Sequence, residues 1–231
     1  MVRVCEKTSV SALICAKNEE NSLREVILGV RPNVDEIIVV DGHSADGTAE
    51  AARSLGCVVL LDHGKGKGEA VRLGLAACSK YLVVLIDADG SHAPEDLQSL
   101  LSPLANETAD LVIASRALGG SDDAEGFLTG VFRDLFGRLI TRLINLRFGA
   151  RLTDSQNGFR ALRRDIVPLL GLSEDGFTIE QQMVIRALKR GMRIAEVPCL
   201  ERRRSHGSSH ISLIRHGPRY AWCLLREALT S

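Results

Sequence analysis

The sequence lacks a long apolar run. Its longest strongly apolar stretch, residues 81–86, is far short of the roughly 18 residues a membrane span needs. Residues 1–10 hold no apolar core of a secretory signal. The chain therefore reads as cytoplasmic, either soluble or peripheral at the cytoplasmic membrane face. C-x-x-C spacing is absent among the six cysteines, which argues against zinc and thiol-redox motifs. Cys15, Cys57 and Cys199 lie in apolar runs and are expected as buried thiols in a reducing compartment. Net charge is also missing: 29 Lys and Arg balance 29 Asp and Glu. No global basic field exists for general nucleic-acid binding. Internal repeats, low-complexity tracts and convincing linkers are absent too.

What is present is an ordinary globular mix, 45% hydrophobic and 25% charged. A chain of 231 residues buries enough surface to fold without a staple. The neutral total hides an asymmetry. Residues 186–226 hold ten Lys and Arg against Glu196 and Glu201, a local net charge of +8, which leaves −8 elsewhere. That division suggests an acidic metal or substrate region and a separate anion-binding end.

The first half alternates short apolar runs with helical patterns. Strands are expected at 10–16, 36–40, 57–61, 81–86 and 110–114, and helices at 19–28, 48–55, 69–78 and 94–104. The runs are continuously apolar, as in strands buried on both faces. Asp46 is placed to cap the second helix and Pro94 to sit in a first turn. This order predicts an α/β fold with a mostly parallel, doubly wound sheet flanked by helices. After Arg116 the character changes. Residues 119–126 read as a loop. Residues 131–148 read as an amphipathic helix with Phe132, Leu135, Phe136, Leu139, Ile140, Leu143 and Ile144 on one stripe. A helix is expected at 178–190, a strand at 193–199, and a partly helical tail at 211–229 interrupted by Gly217-Pro218. The expected organisation is one domain over 1–231, with a donor-binding half (1–116) and an acceptor-binding half (117–231).

Ligands of an open parallel sheet bind beyond the carboxyl ends of its strands. Each predicted strand end carries polar residues: Asn18-Glu19-Glu20, Asp41, the segment 62–68, Asp87-Ala88-Asp89, and Ser115-Arg116. Two carboxylates leaving a buried strand suit a hard cation, Mg²⁺ or Mn²⁺, with positions left for diphosphate oxygens. The segment 64–68 supplies glycines and two lysines to a diphosphate, although it is neither a Walker A motif nor a G-x-G-x-x-G fingerprint. Asp41 suits hydrogen bonds from a base or ribose.

These motifs together resemble glycosyltransferase family 2 of the GT-A fold, and within it the dolichyl/polyprenyl-phosphate mannosyltransferase branch. The resemblance spans about residues 9–219. It rests on Cys15-Ala16-Lys17-Asn18-Glu19, on 40–48 with Gly42 replacing a second aspartate, on Gly66-Lys67-Gly68-Glu69-Ala70, and on Asp87-Ala88-Asp89 followed by Ser91. Ser115-Arg116, Asp154 to Arg160, 177–182 with Gln182 replacing an acid, Glu196-Val197-Pro198, and 204–210 ending in His210 complete the set.

The resemblance implies inverting transfer of a hexose from a nucleotide-diphosphate sugar, mannose from GDP-mannose being favoured, to a dolichyl or polyprenyl phosphate. It implies that Asp87 and Asp89 hold Mg²⁺ or Mn²⁺, and that Ala16, Asn18, Glu19, Asp41, Lys67, Asp87 and Ala88 bind the nucleotide sugar. Asp89, Arg116, Glu180 and Arg204 are the expected catalytic residues; Asn157, Arg160 and His210 are expected at the acceptor. The loss of an acid at Gln182 favours a phosphate acceptor, because a phosphate monoester is already anionic at pH 7 and needs no base. Glu180 remains a candidate base. Membrane contact is expected through 131–148 or the Trp222 tail, or through a transmembrane partner subunit. The alternatives are a family 2 enzyme using UDP-glucose or another donor with a soluble acceptor, a nucleotidyltransferase, and a non-catalytic nucleotide-sugar binder.

Overall fold

The computed structural model describes residues 8–120, 127–203 and 213–230. Its elements run β1 (Val10–Ala16), α1 (Glu20–Val30), β2 (Glu36–Asp41), α2 (Thr48–Ser54), β3 (Val58–Leu61), α3 (Lys67–Ala77), β4 (Leu82–Asp87), α4 (Leu97–Ala105), β5 (Leu111–Ser115) and α5 (Arg116–Gly119). They continue with α6 (Phe127–Phe148), β6 (Arg160–Arg163), α7 (Val167–Leu170), α8 (Ile179–Lys189), β7 (Ile194–Pro198) and α9 (Leu213–Leu229).

The strands form one seven-stranded sheet in the order β3-β2-β1-β4-β6-β5-β7. All pairs are parallel except those made by β6, which runs against both β4 and β5. Alternation along each strand feeds two cores. From β1, Ala12 and Ile14 face α1 and α4, with Leu23, Ile27, Leu97 and Leu100. Leu13 faces the other way, onto Val71 and Leu75 of α3 and Met183 and Ile185 of α8. Helices therefore cover both faces, and β1, β2, β4 and β5 are buried strands, as expected, whereas β3 lies at the sheet edge with Val58 and Leu61 exposed.

Four expectations are corrected. The strand β6 was not foreseen: it is four residues long and begins with the fully buried Arg160, so no apolar run marks it. α9 continues through Gly217-Pro218 instead of breaking there. Its far half is anchored by Tyr220, whose hydroxyl donates to the Phe177 carbonyl at 3.0 Å and whose carbonyl accepts from Gln181 at 2.9 Å. Finally, the α6 stripe is wider than the core it serves. Ile140 and Ile144 are buried, but Leu135, Leu139 and Leu143 are exposed. Of the cysteines expected inside, Cys199 is buried while Cys15 and Cys57 are half-buried.

Candidate active site

The strand order places a topological switch between β1 and β4. β2 and β3 lie to one side of β1, and β4 lies to the other. Ligand sites of doubly wound sheets open at the carboxyl ends of the strands flanking such a point. Here Cys15 of β1 is in register with Asp87 of β4.

Asp87 is the hub. Its Oδ1 accepts from Lys67 Nζ at 2.7 Å, and the same ammonium lies 3.0 Å from Glu180 Oε1. Lys67 opens α3 and Glu180 stands in the first turn of α8, so two helix starts converge on one strand end. The other Asp87 oxygen lies 3.7 Å from His92 Nε2. His92 is buried and stacks on Phe159, with ring centroids 5.0 Å apart. Gly158 backs onto Asp87: a Cβ there would stand 2.6 Å from Oδ2, so a side chain at this position of the 154–160 motif would displace the Asp87 carboxylate.

Burial disfavours charge on Asp87, but Lys67 and the nearby His92 outweigh it and hold the carboxyl well below the usual range. Burial opposes the Lys67 charge as well; Asp87 and Glu180 more than offset it and push the ammonium above its usual range. The pair is thus ionised at neutral pH. Burial also pushes the nearby Cys15 thiol up to about 12, so it stays protonated and is no nucleophile.

Asp89 is buried, and its Oδ1 accepts from the Ser91 backbone at 3.0 Å and the Ser91 hydroxyl at 2.7 Å. Among the described residues no group of three or more His, Cys, Asp and Glu is placed to hold a metal. A self-sufficient protein cage is therefore not built here. Two hard carboxylates are the donor set Mg²⁺ or Mn²⁺ uses when phosphate oxygens and water complete the shell. The residues fit a cation that arrives with a diphosphate.

On the β1–β2 side, Asp41 is buried and accepts from the Ser44 hydroxyl at 2.5 Å and the Ser44 backbone at 3.2 Å. Ser44 Oγ in turn accepts from the Asn18 backbone at 2.9 Å, while Asn18 Oδ1 accepts from Ala45 at 2.8 Å. Asn18 takes a left-handed φ of 56°, one of the few conformations that residue tolerates better than most. The carbonyl of Ala16 accepts from Gly42 at 2.8 Å, and the Glu19 amide donates to Thr48 at 2.9 Å. The N-cap of α2 is Gly47 rather than Asp46, which stands one residue earlier and accepts from the Thr48 amide at 3.1 Å. Asn18, Glu19 and Asp41 thus hold two loops together at the strand mouth.

Several expected roles change. Gly68 does not keep its backbone open to a ligand: the Gly68 and Glu69 amides donate to the Asp175 carbonyl at 2.7 and 3.3 Å. A Cβ on Gly68 would lie 2.4 Å from the Glu174 carbonyl, so glycine lets α3 pack on the loop before α8. Arg116 does not present its fork to solvent. It grips Asp154 bidentately at 2.6 and 3.0 Å and lies 3.6 Å from Glu201. Asn157 and Arg160 are internal as well. Asn157 donates to the Ala114 carbonyl at 2.6 Å, and Arg160 to the carbonyls of Asn157 and Glu180 at 3.1 and 3.0 Å. They set the floor under Asp87 and Glu180 instead of facing an acceptor. Gln182 is fully buried and points toward α9, donating to Glu227 at 2.8 Å. It does not share the Glu180 face, so its identity says nothing about an acceptor. Ala88 is buried behind the Asp87–Asp89 turn. Arg204 and His210 lie outside the described residues.

Sequence reasoning missed His92, Asp154 as the partner of Arg116, and Gly158 as the neighbour of Asp87. The one available signal was the Ser91-His92 pair directly after the acidic turn.

Comparison with known proteins is consistent with this geometry. Residues 11–170 match the family described as Glycosyl transferase family 2. Glycosyltransferase AglJ of Haloferax volcanii is 32% identical over 96% of this chain and 73% of its own length. An undecaprenyl-phosphate mannosyltransferase of Micrococcus luteus is 35% identical over 88% of this chain and 87% of its own. Glucosyl-3-phosphoglycerate synthase of Mycobacterium tuberculosis, solved with Mn²⁺, UDP and phosphoglyceric acid, superposes with a TM-score of 0.74. It is 26% identical, over 99% of this chain and 81% of that one. The chain belongs to glycosyltransferase family 2 and is a glycosyltransferase of the GT-A fold.

Proposed function

We propose that this enzyme transfers a hexose, with inversion, from a nucleotide-diphosphate sugar to the phosphate of a dolichyl or polyprenyl phosphate, with GDP-mannose as the favoured donor. The observation that carries the reading is the Asp87–Lys67–Glu180 cluster at the strand mouth of a family 2 chain. Asp89, with Asp87, would hold Mg²⁺ or Mn²⁺, which offsets the charge growing on the leaving diphosphate. Relatives solved with Mn²⁺ or Mg²⁺ and UDP support such a cation. Asn18, Glu19 and Asp41 would seat the nucleoside, and Lys67 would turn part of its charge toward the diphosphate.

The acceptor follows from the basicity available. A hydroxyl acceptor needs a base to take its proton. Glu180 is already ion-paired with Lys67 at 3.0 Å and is poorly suited to that work. A phosphate monoester brings its own negative charge. Its oxygen attacks C1 of the sugar, the bond from C1 to the diphosphate oxygen breaks, and the nucleoside diphosphate leaves with the electron pair. Relatives named for undecaprenyl-phosphate and dolichyl-phosphate transfer support this acceptor class. Arg204 and His210 are proposed as its phosphate contacts. The acceptor would be met peripherally or through a transmembrane partner subunit.

The test is a transfer assay with GDP-mannose and UDP-glucose, Mn²⁺ or Mg²⁺, and three acceptors: a short polyprenyl phosphate, the matching polyprenol, and 3-phosphoglycerate. Transfer to the lipid phosphate alone is expected. Preferential transfer to phosphoglycerate or to the free alcohol would replace this reading with the soluble-acceptor or hydroxyl-acceptor one.

A further inference from the structure

A cation of the protein's own already stands against Asp87. The Lys67 ammonium lies 2.7 Å from Asp87 Oδ1 and 3.0 Å from Glu180 Oε1. A divalent cation seeking that oxygen would meet a positive charge at contact distance, and like charges so close repel strongly. The other Asp87 oxygen offers a poor alternative. Oδ2 lies 3.7 Å from His92 Nε2 and backs onto Gly158, where a Cβ would come within 2.6 Å. At Asp89, Oδ1 already accepts from both the backbone and the hydroxyl of Ser91.

The two carboxylates that hold Lys67 differ in access. The Asp87 side chain is 29% exposed and the Glu180 side chain 6%, so an ion from solvent can reach the first and not the second. The backbone around Lys67 is pinned. The Gly68 amide donates to the Asp175 carbonyl at 2.7 Å, and Arg72, further along α3, binds the Asp175 carboxylate at 2.7 Å. These contacts tie the start of α3 to the loop that leads into α8, and so keep Lys67 beside Glu180. Only the lysine side chain, a flexible four-carbon stem, is left to swing. Drawn off Asp87, its ammonium still has Glu180.

We propose that Lys67 is an exchangeable counter-ion: it keeps a bare divalent cation off Asp87 and yields that carboxylate only when the cation comes with a nucleotide diphosphate, so that metal and nucleotide load together. The diphosphate changes both sides of the balance. Its oxygens complete the cation's shell, and they give the ammonium a second anionic partner beside Glu180. Metal and nucleotide then tighten each other's binding by the same factor. The inference rests on the cation site of the proposed function and assigns the coupling at that site to one side chain.

The experiment measures Mn²⁺ binding alone and with GDP or UDP, from the paramagnetic resonance of the free ion, for wild type, Lys67→Met and Glu180→Gln. No sugar and no acceptor are present. Wild type should bind Mn²⁺ alone at least about tenfold more weakly than with its preferred nucleotide. Lys67→Met should bind Mn²⁺ alone at least about tenfold more tightly than wild type, and its gain from nucleotide should shrink. Glu180→Gln keeps the lysine but removes its buried anchor, and decides the matter should Lys67→Met not fold. It should bind Mn²⁺ alone no better than wild type, and its gain from nucleotide should fall several-fold. Wild-type affinity of Lys67→Met for Mn²⁺ alone, or an undiminished nucleotide gain in Glu180→Gln, overturns the counter-ion role and leaves the cation site standing. No nucleotide-dependent Mn²⁺ binding in the wild type removes the cation site itself, and this inference with it.

Discussion

Two half-buried charge clusters in this molecule use the same residue types with opposite balance. At the strand mouth, Lys67 lies between Asp87 and Glu180, with Asp89 two residues on, so carboxylates outnumber the cation. Between α8 and α9, Glu227 lies among Arg186, Lys189 and Arg226, so cations outnumber the carboxylate. The first draws on β4, α3 and α8, whose ends meet at the ligand-binding edge of the sheet. The second joins the flanks of two helices. An anionic excess at a strand mouth demands a cation from outside; a carboxylate wrapped by arginines needs none and works as a staple. Position in the topology, more than composition, separates chemistry from architecture here.

Breaking each cluster should therefore give different losses. Asp89→Asn keeps a side chain that can accept from Ser91 but removes a metal-binding charge. We expect transfer to fall on the order of 10²–10³-fold, with a melting temperature within a few degrees of wild type. Near-normal turnover by this variant would move the catalytic role elsewhere.

Glu227→Gln should instead lower stability. Burial alone would raise the Glu227 carboxyl, but hydrogen bonds from Arg186 and Gln182 outweigh it and set it at about 2. A depressed carboxyl contributes stability that is full above its unfolded value near 4.3 and is lost as pH falls toward the folded value. The variant should lose about 3 kcal/mol at pH 7, and the gap from wild type should close between about pH 4 and 2. Urea titrations at pH 7 and pH 3 measure this; a gap that widens on acidification would contradict the staple.

Lys67→Met leaves two carboxylates facing each other. Because Asp87 is partly exposed, the expected cost is moderate, about 2 kcal/mol by chemical denaturation. An unchanged midpoint would mean that the lysine is not holding α3 and α8 to β4.

The smallest effect concerns the nucleoside side. Asp41→Ala frees Ser44 and, through it, the Asn18 turn. Donor affinity should drop about tenfold while turnover at saturation changes little. Calorimetric titration with GDP and UDP reads this directly, and equal affinity for both variants would leave Asp41 a turn residue only.

The strand mouth was legible in the sequence because both of its ingredients are local. A continuous apolar run announces a buried strand, and a charged residue at its end announces the ligand edge; Asp41 and Asp87 were found that way. What was not legible depends on partners distant in sequence. Arg116 reads as a phosphate ligand until Asp154 occupies its fork. Gln182 reads as a missing base until the turn of α8 carries it toward Glu227. Arg160 sits in a four-residue antiparallel strand with no apolar signature, since its burial is supported by the Asn157 and Glu180 carbonyls. The leucines of α6 show the converse limit: periodicity reveals an apolar stripe but not how much of it the core will cover.

The central claim is that Asp87 and Asp89 bind the nucleotide diphosphate through a divalent cation. Calorimetric titration of GDP and UDP into wild type and Asp89→Asn, each with Mn²⁺ and with chelator, tests it without any acceptor. The account predicts that Mn²⁺ tightens wild-type binding of the preferred nucleotide by about tenfold or more, and that Asp89→Asn erases that gain while keeping the metal-free affinity. An equal Mn²⁺ gain in both proteins, or no gain in the wild type, would contradict it.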